Sequence, residues 1–522
     1  MRDAVNDKPH ELSLTCHRSV VRNLTLRIHN GPLTSAPFDF GVAVRPRDLL
    51  IHRVLRLVGC WLTLSVVACA ATSPPDRLAP GVGLDVASAS DNSVKAAWIQ
   101  YAMSHGWEVR ALSDTGHCPS LEWDGAPLPL KVRAGPGTLP PRDGKGASDS
   151  RPAVFELTSC ELPVPASATR LRVGHFDLPV PHSQLHHLVL MGDSGCRMKA
   201  AEEAFQDCLD PQAWPFARVN DTAASMHPDL VIHVGDLHYR ESPCPVGRPG
   251  CAGSPWGYGD DVWMEDFFRP TASLRASAPW VVARGNHEAC DRAGLGWFRF
   301  LAATDFSPAL SCESAANDDE ANFTHPFAVA LDTQTQLIVF DSAAVSSKPY
   351  KSDSPAYRRY LALMDEVAAL ARDKPHSIFV NHHPALAFGG SASGKAKPGT
   401  QGLISVLAAH DPTRLYPPGI DLVVNGHVHM FQALDFSSGQ PATVLTGNGG
   451  SAMEGYVNPE SAFQTPVAPG AVLSHFETQP GFGFATLDLV TDSWELKEWS
   501  PTGQLLRRCT IALQSLRCGT TR

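Results

Sequence analysis

Short apolar runs alternate with polar, turn-forming stretches through most of this chain, and their character changes near residue 185. Between Ser88 and Pro181 the runs VKAAWIQYAM, WEVRALS, LKVRAG, AVFELTSCEL and TRLRVGHFDL are divided by Gly, Pro and Asp turns. That pattern predicts a small all-β domain, a β-sandwich over 88–181, and it contains no catalytic constellation. The Gly-, Pro- and Ser-rich stretch Ala134–Arg151 reads as an exposed or disordered loop. From Leu185 the runs become LHHLVLMGD, DLVIHVGD, APWVVARGNHE, TQLIVFDS, HSIFVNHHP, IDLVVNGHVHMF and ATVLTGNGG. Tyr357–Asp373 among them carries the apolar spacing of an amphipathic helix. Strands with helices between them predict an α/β domain over 185–515. The tail Gly481–Ile511 closes it with hairpin strands, and no internal repeat is evident.

Composition narrows the partners. A chain of 522 residues with 43% hydrophobic and 18% charged residues is globular and long enough for more than one domain. Its net charge of -10 argues against a nucleic acid partner or an anionic membrane surface. Arg53–Ala71, RVLRLVGCWLTLSVVACAA, has the basic start and short apolar core of a secretory signal. Its end, Val66 to Cys69, resembles a bacterial lipobox, whose cysteine would be lipidated. The expectation is therefore an exported envelope protein, periplasmic or lipid-anchored through Cys69, with membrane attachment only through that anchor. The apolar stretch is short for a spanning helix. Residues 1–44, with no clear period, read as disordered or as an over-extended start; 45–71 is the signal and 72–87 a flexible linker.

Thirteen cysteines sharpen the compartment. Ten follow Cys69, an even number that in an exported chain points to disulfides. Nearest-neighbour pairing into five bridges is the expected arrangement, although sequence alone cannot fix it. A cysteine zinc site is disfavoured because no CxxC occurs.

Five segments end in metal-ligand residue types: Asp193 in GDSG, Asp236 and Tyr239 in GDLHY, Asn286 and His287 in GNHE, His382 in NHHP, and His427 with His429 in GHVH. Each alone reads equally well as a turn, a cap or a surface histidine. All five in this order, each just past an apolar strand, describe a site of hard oxygens and imidazoles for two metals. In the fourth segment two registers are open, His382 or His383; His382 is preferred as the ligand, leaving His383 to face substrate. Gly447–Gly450 reads as a loop lining the cleft. The insert Ser242–Asp261 reads either as a wall of the substrate entrance or as a structural staple.

The series GD, GDxxY, GNHE, a strand ending in histidine, and GHxH resembles the calcineurin-like metallophosphoesterases over about residues 186–500, and more narrowly the purple acid phosphatases. Two details carry the narrower likeness: Asp193-Ser194-Gly195 lacks the histidine usual in the first motif, and Tyr239 stands where those enzymes supply a tyrosinate. The resemblance implies a metallophosphoesterase β-sandwich flanked by helices, preceded by the small all-β domain. It implies Fe(III) on Asp193, Asp236, Tyr239 and His429, and a divalent Fe, Zn or Mn on Asn286, His382 and His427, with Asp236 bridging. It further implies hydrolysis of a small-molecule phosphate monoester by a metal-bound hydroxide, with His287 and Asp236 catalytic and His383 and Arg197 as candidate substrate contacts. The same site also suits a phosphodiesterase or nucleotide hydrolase, or a non-catalytic metal-binding surface protein.

Overall fold

The computed structural model describes residues 91–142, 150–491, 493–512 and 514–519. The signal-like segment with Cys69, the linker 72–87 and residues 1–44 lie outside the described residues. Two large sheets, of eleven and seven strands, form the body. In the first, His187–Met191, Leu230–His233 and Trp280–Val282 run parallel. In the second, Thr335–Val339, His376–Val380, Ile420–Asn425 and Ala442–Thr446 do the same. Parallel strands are covered on both faces, which is why these segments read as unbroken apolar runs.

The period of two assigns each side chain a layer. Leu188, Leu190, Ile232, Val234 and Val281 face Ile378, Val380, Leu422 and Val424 across the space between the sheets. Their neighbours Val189, Met191 and Val231 point outward onto the helices Phe216–Ala224, Ala272–Ser277 and Gly294–Phe300. On the far side Phe379, Val423 and Leu445 meet the helices Pro355–Leu370 and Gln401–His410. The result is the expected sandwich flanked by helices. The helix expected over Tyr357–Asp373 is found two residues earlier, because Ser354 accepts a hydrogen bond from the Tyr357 amide and Pro355 occupies the first turn. It ends at Leu370, short of Arg372 and Asp373.

A small β region over 94–180 precedes this body, with its own core around Val109, Leu121, Cys160 and Val173. Its strand Val94–Ala102 lies parallel beside Trp280–Val282, so it continues the eleven-stranded sheet. Buried arginines fasten the two together. Arg275 donates to the carbonyl of Ala97 at 2.7 Å, and Arg110 to that of Phe300 at 2.8 Å. At the other edge Phe484–Val490 pairs antiparallel with His187–Met191 and leads into three further strands. Among the described residues five disulfides join nearest neighbours: Cys118–Cys160, Cys196–Cys208, Cys244–Cys251, Cys290–Cys312 and Cys509–Cys518. Among the described residues no helix is long and apolar enough to cross a membrane.

His187 closes the seam between the central strands and the tail. Nδ1 contacts the Asp488 carboxylate, and Nε2 faces the Met226 carbonyl at 3.1 Å. The hydrogen bond to Asp488 raises the imidazole pKa against the opposing effect of burial. Asp488 is held below the usual carboxylate range: burial works against its charge, but hydrogen bonds from His187 and Lys497 outweigh it. A raised histidine stabilises below its unfolded value, near pH 6.5, and loses that contribution as pH rises through the folded value; a lowered aspartate loses its contribution as pH falls. His187→Gln should therefore lower Tm most in the mildly acidic window, with the difference shrinking toward about pH 9. Equal Tm losses at about pH 5.5 and about pH 9 would refute the ion pair.

Candidate metal centre

The chain leaves each central strand at its carboxyl end, and there the candidate residues collect. Asp193 follows Met191, Asp236 follows His233, Asn286 follows Val282, His382 follows Val380, and His427 follows Asn425. Three of them, Asp193 (φ 53), Asp236 (φ 56) and His427 (φ 75), have left-handed backbone. That conformation costs roughly 1–2 kcal/mol for an ordinary side chain and less for Asp, and it recurs at sites where direction matters more than local comfort. The preceding glycines make room: at Gly235 (φ 97) a Cβ would press on Gly285 and on Nδ1 of His382, and at Gly285 it would land on Asp236 itself.

The side chains converge as acceptors facing acceptors. Tyr239 Oη lies 3.1 Å from Asp193 Oδ1, 2.9 Å from Asp236 Oδ2 and 2.8 Å from His429 Nε2. One phenol proton cannot serve three partners. His429 directs Nδ1 at the Ala452 carbonyl, 2.6 Å away, so its N–H is used there and Nε2 presents a lone pair. His382 repeats this, with Nδ1 2.9 Å from the Val234 carbonyl. Its Nε2 faces Asp236 Oδ2 and Asn286 Oδ1, both at 3.1 Å. His427 brings Nδ1 to 3.0 Å from Asn286 Oδ1 and 3.3 Å from His382 Nε2. Asp236, His382 and His427 each offer a ligand atom within 4.8 Å of the others.

Electrostatics set two of the imidazoles apart. Burial opposes charge on His382, yet Asp236 beside it draws its pKa up to about 9. Burial and the neighbouring His382 push His427 down to about 3, leaving a neutral ring with a free lone pair. Buried carboxylates, carbonyl-oriented imidazoles and an overcommitted phenol are the donor set that two cations would satisfy.

A family model of the calcineurin-like phosphoesterases matches residues 186–431. Residues 186–431 are a calcineurin-like phosphoesterase domain. The chain is thus a metal-dependent phosphoric ester hydrolase with a small-molecule phosphoester substrate, and the phosphoesterase family implies a two-metal centre. Among solved structures, a purple acid phosphatase, PPD1, from yellow lupin (Lupinus luteus) seeds is similar at 15% identity and TM-score 0.47, covering 80% of this chain and 74% of that one. PhoD is similar at 10% identity and TM-score 0.47, covering 84% and 93%. GAP50, the anchor in the inner membrane complex of Plasmodium, follows at 11% identity and TM-score 0.32, covering 64% and 90%. No curated protein matches the chain.

The remaining candidates lie around the phosphoesterase centre. The His287 ring packs 3.9 Å from that of Tyr239, and its amide donates to Asp236 Oδ1 at 2.9 Å. Arg292 Nη2 lies 2.6 and 2.8 Å from its two ring nitrogens, and Glu241 Oε1 is 3.0 Å from Nδ1. Burial and Arg292 push His287 down to about 4. His383 packs against His427, ring centroids 4.3 Å apart, on the wall of an adjoining groove. Arg197 is engaged by Glu202 and by Glu454, the latter at 3.1 Å, with its guanidinium 5.9 Å from the Tyr239 ring. The insert Ser242–Asp261 packs as a staple: Trp256 lies under Arg151, Tyr258 lies against His238, and none of it lines that groove.

Sequence reasoning missed the groups that hold the loops. Glu288, inside GNHE, accepts from four backbone amides: Leu237 at 2.8 Å, Asp236 and Gly285 at 3.0 Å, and His238 at 3.2 Å. Asp266 accepts from the amides of Cys196 at 3.1 Å and Tyr239 at 2.8 Å. The acid of GNHE was visible as a signal; Asp266, in a helical stretch, gave none. Because a methyl at Gly285 overlaps Asp236, Gly285→Ala should cost about 1–3 kcal/mol in a denaturant melt and most of the hydrolytic rate. Unchanged stability and rate would refute the close approach.

Proposed function

We propose that this protein is an exported phosphatase of purple acid phosphatase type, cleaving phosphate monoesters at an Fe(III)–divalent metal pair. The observation that carries the reading is the Tyr239 hydroxyl set against Asp193, Asp236 and His429. As a phenolate it joins two carboxylates in a hard, anionic pocket suited to a trivalent ion. Asp193, Asp236, Tyr239 and His429 would hold ferric iron, and Asn286, His382 and His427 the divalent metal (Fe, Zn or Mn). Two cations held there would supply charge for the ester oxygens and acidify a water.

The chain's own residues do the rest. Asp236 is fixed through Oδ1 by the His287 amide, which leaves Oδ2 for the centre. His287, backed by Arg292 and Glu241, is the group for transition-state charge; with a pKa near 4, donating its proton to the leaving alcohol becomes a reaction of acidic media. His383 contacts substrate from the groove wall. Arg197 reaches a phosphate only by leaving its two carboxylates. Export is supported by five disulfides, which persist in oxidising compartments.

Monoester preference is tested by hydrolysis of a phosphomonoester beside its matched phosphodiester. A higher kcat/KM for the monoester is expected; preference for the diester would move the assignment to a phosphodiesterase, and activity on neither by the metal-loaded protein would leave a binding protein. Asp236→Asn should remove metal, read by elemental analysis, and activity together. The iron-loaded protein should show a visible tyrosinate charge-transfer band that Tyr239→Phe abolishes. A colourless, iron-free and fully active protein would sink the tyrosinate assignment.

A further inference from the structure

A groove of about 640 Å³ opens beside the metal centre, with Asn286, His383 and His427 at its inner end. Small-molecule sites run to roughly 300–1,000 Å³, so this one holds a whole ester rather than a lone phosphate. Its charges are uneven. Glu454 is the sole carboxylate among the described lining residues, and Arg197 neutralises it at 3.1 Å. Lys397 is the sole lysine or arginine there, and among the described residues it makes no ion pair.

The backbone beneath this lysine is fixed while its side chain is free. Gly389 and Lys397 exchange amide-to-carbonyl hydrogen bonds, both at 3.0 Å, and the same arm is tied to Tyr456 through Ser391 at 3.1 and 3.2 Å. Lys395 on this arm, and Lys348 and Lys351 just past the lining residues Ser346 and Ser347, likewise make no ion pair among the described residues. A chain of net charge -10 thus keeps uncompensated positive charge on the two segments that wall its groove. An unpaired cation over a polar groove attracts an anion.

We infer that Lys397 binds a second anionic group on the substrate, so that the preferred substrates are small phosphate esters carrying a further phosphate or carboxylate on the alcohol side. The inference rests on the phosphatase reading for its chemistry. The scissile phosphate occupies the metal end, the second anion lies along the groove at Lys397, and the alcohol leaves with that anion still attached. A flexible, solvated ammonium reads charge rather than shape, so either anion suffices.

The test uses the metal-loaded protein with a hexose monophosphate, the matched hexose bisphosphate, and a phosphorylated hydroxy acid beside the corresponding phosphorylated alcohol. The doubly anionic member of at least one pair should show a kcat/KM about ten-fold higher, expressed mainly in KM and shrinking as salt is added. A gain with the bisphosphate alone identifies phosphate as the second group; a gain with the hydroxy acid extends it to carboxylate. Lys397→Ala should bring the ratio close to one and Lys397→Arg should retain it. Equal kcat/KM within both wild-type pairs, or a ratio unchanged in Lys397→Ala, would overturn the inference. Calorimetric titration with methylenebisphosphonate, whose P–C–P bridge is not hydrolysed, beside methylphosphonate reads the same contact without turnover. If no ester is hydrolysed, the phosphatase reading fails, but tighter bisphosphonate binding lost in Lys397→Ala still upholds the second-anion contact, and equal binding removes it.

Discussion

One phenol oxygen facing three acceptors is the constraint on which the rest of this molecule depends. Two carboxylates, three imidazoles, an amide oxygen and a phenol meet where water is nearly excluded. Burying such charge without a counter-ion costs several kcal/mol per group. Protons on the His382 and His429 imidazoles relieve part of it, since against burial the neighbouring Asp236 and Asp193 raise both. A cation between the donors would resolve the conflict, and the fold keeps them from turning away. The left-handed backbone at Asp193, Asp236 and His427 makes sense in that light. An acidic or imidazole side chain in relaxed extended backbone would alternate above or below its sheet; turning it into the cleft requires the sharper bend.

What holds the bends is a second set of carboxylates, set behind the first. Glu288 gathers the amides of Asp236, Leu237, His238 and Gly285, so the second and third motifs are fastened to each other. Asp266 does the same for Cys196, Tyr239 and Arg240, joining the first motif to the second. A carboxylate that accepts several amide bonds stabilises loops that have no ladder partner of their own. The disulfide Cys196–Cys208 lies one residue from Arg197, and Cys290–Cys312 two residues past Glu288, so covalent links also fall beside ligand loops. Rigidity has been concentrated where the donors leave the strands.

Much of this was legible in the chain because it is local. The apolar runs leading to Asp193, Asp236, Asn286, His382 and His427 stand out along the chain, all but that of His382 with a glycine just before the candidate residue, and the nearest-neighbour disulfides close loops of 7 to 42 residues. The amphipathic helix is legible too, and its start is set by Ser354 and Pro355, two residues before the apolar spacing begins. What was not legible is long-range. Nothing in VKAAWIQYAM announces that Gln100 will register beside Trp280, or that Arg275 will donate to Ala97. The Glu241–Arg292–His287 network likewise joins residues about fifty positions apart through ion pairing that has no sequence period. Sequence periodicity reports which face is buried, never against what.

The distribution of charge completes the physical picture. Negative groups are sunk in the centre, where only cations can answer them, and the compensated pair Arg197–Glu454 stands at its edge. Beyond that edge the groove changes sign, with Lys397 presented on a hairpin arm and left unpaired. Deep anionic donors and a shallow ammonium make opposite demands on a ligand. A species that satisfies both needs electron-rich oxygens for the metals at one end and negative charge at the other, separated by a neutral carbon frame. Against a net charge of -10, a local ammonium beside the candidate metal centre is what would draw such a ligand to this groove.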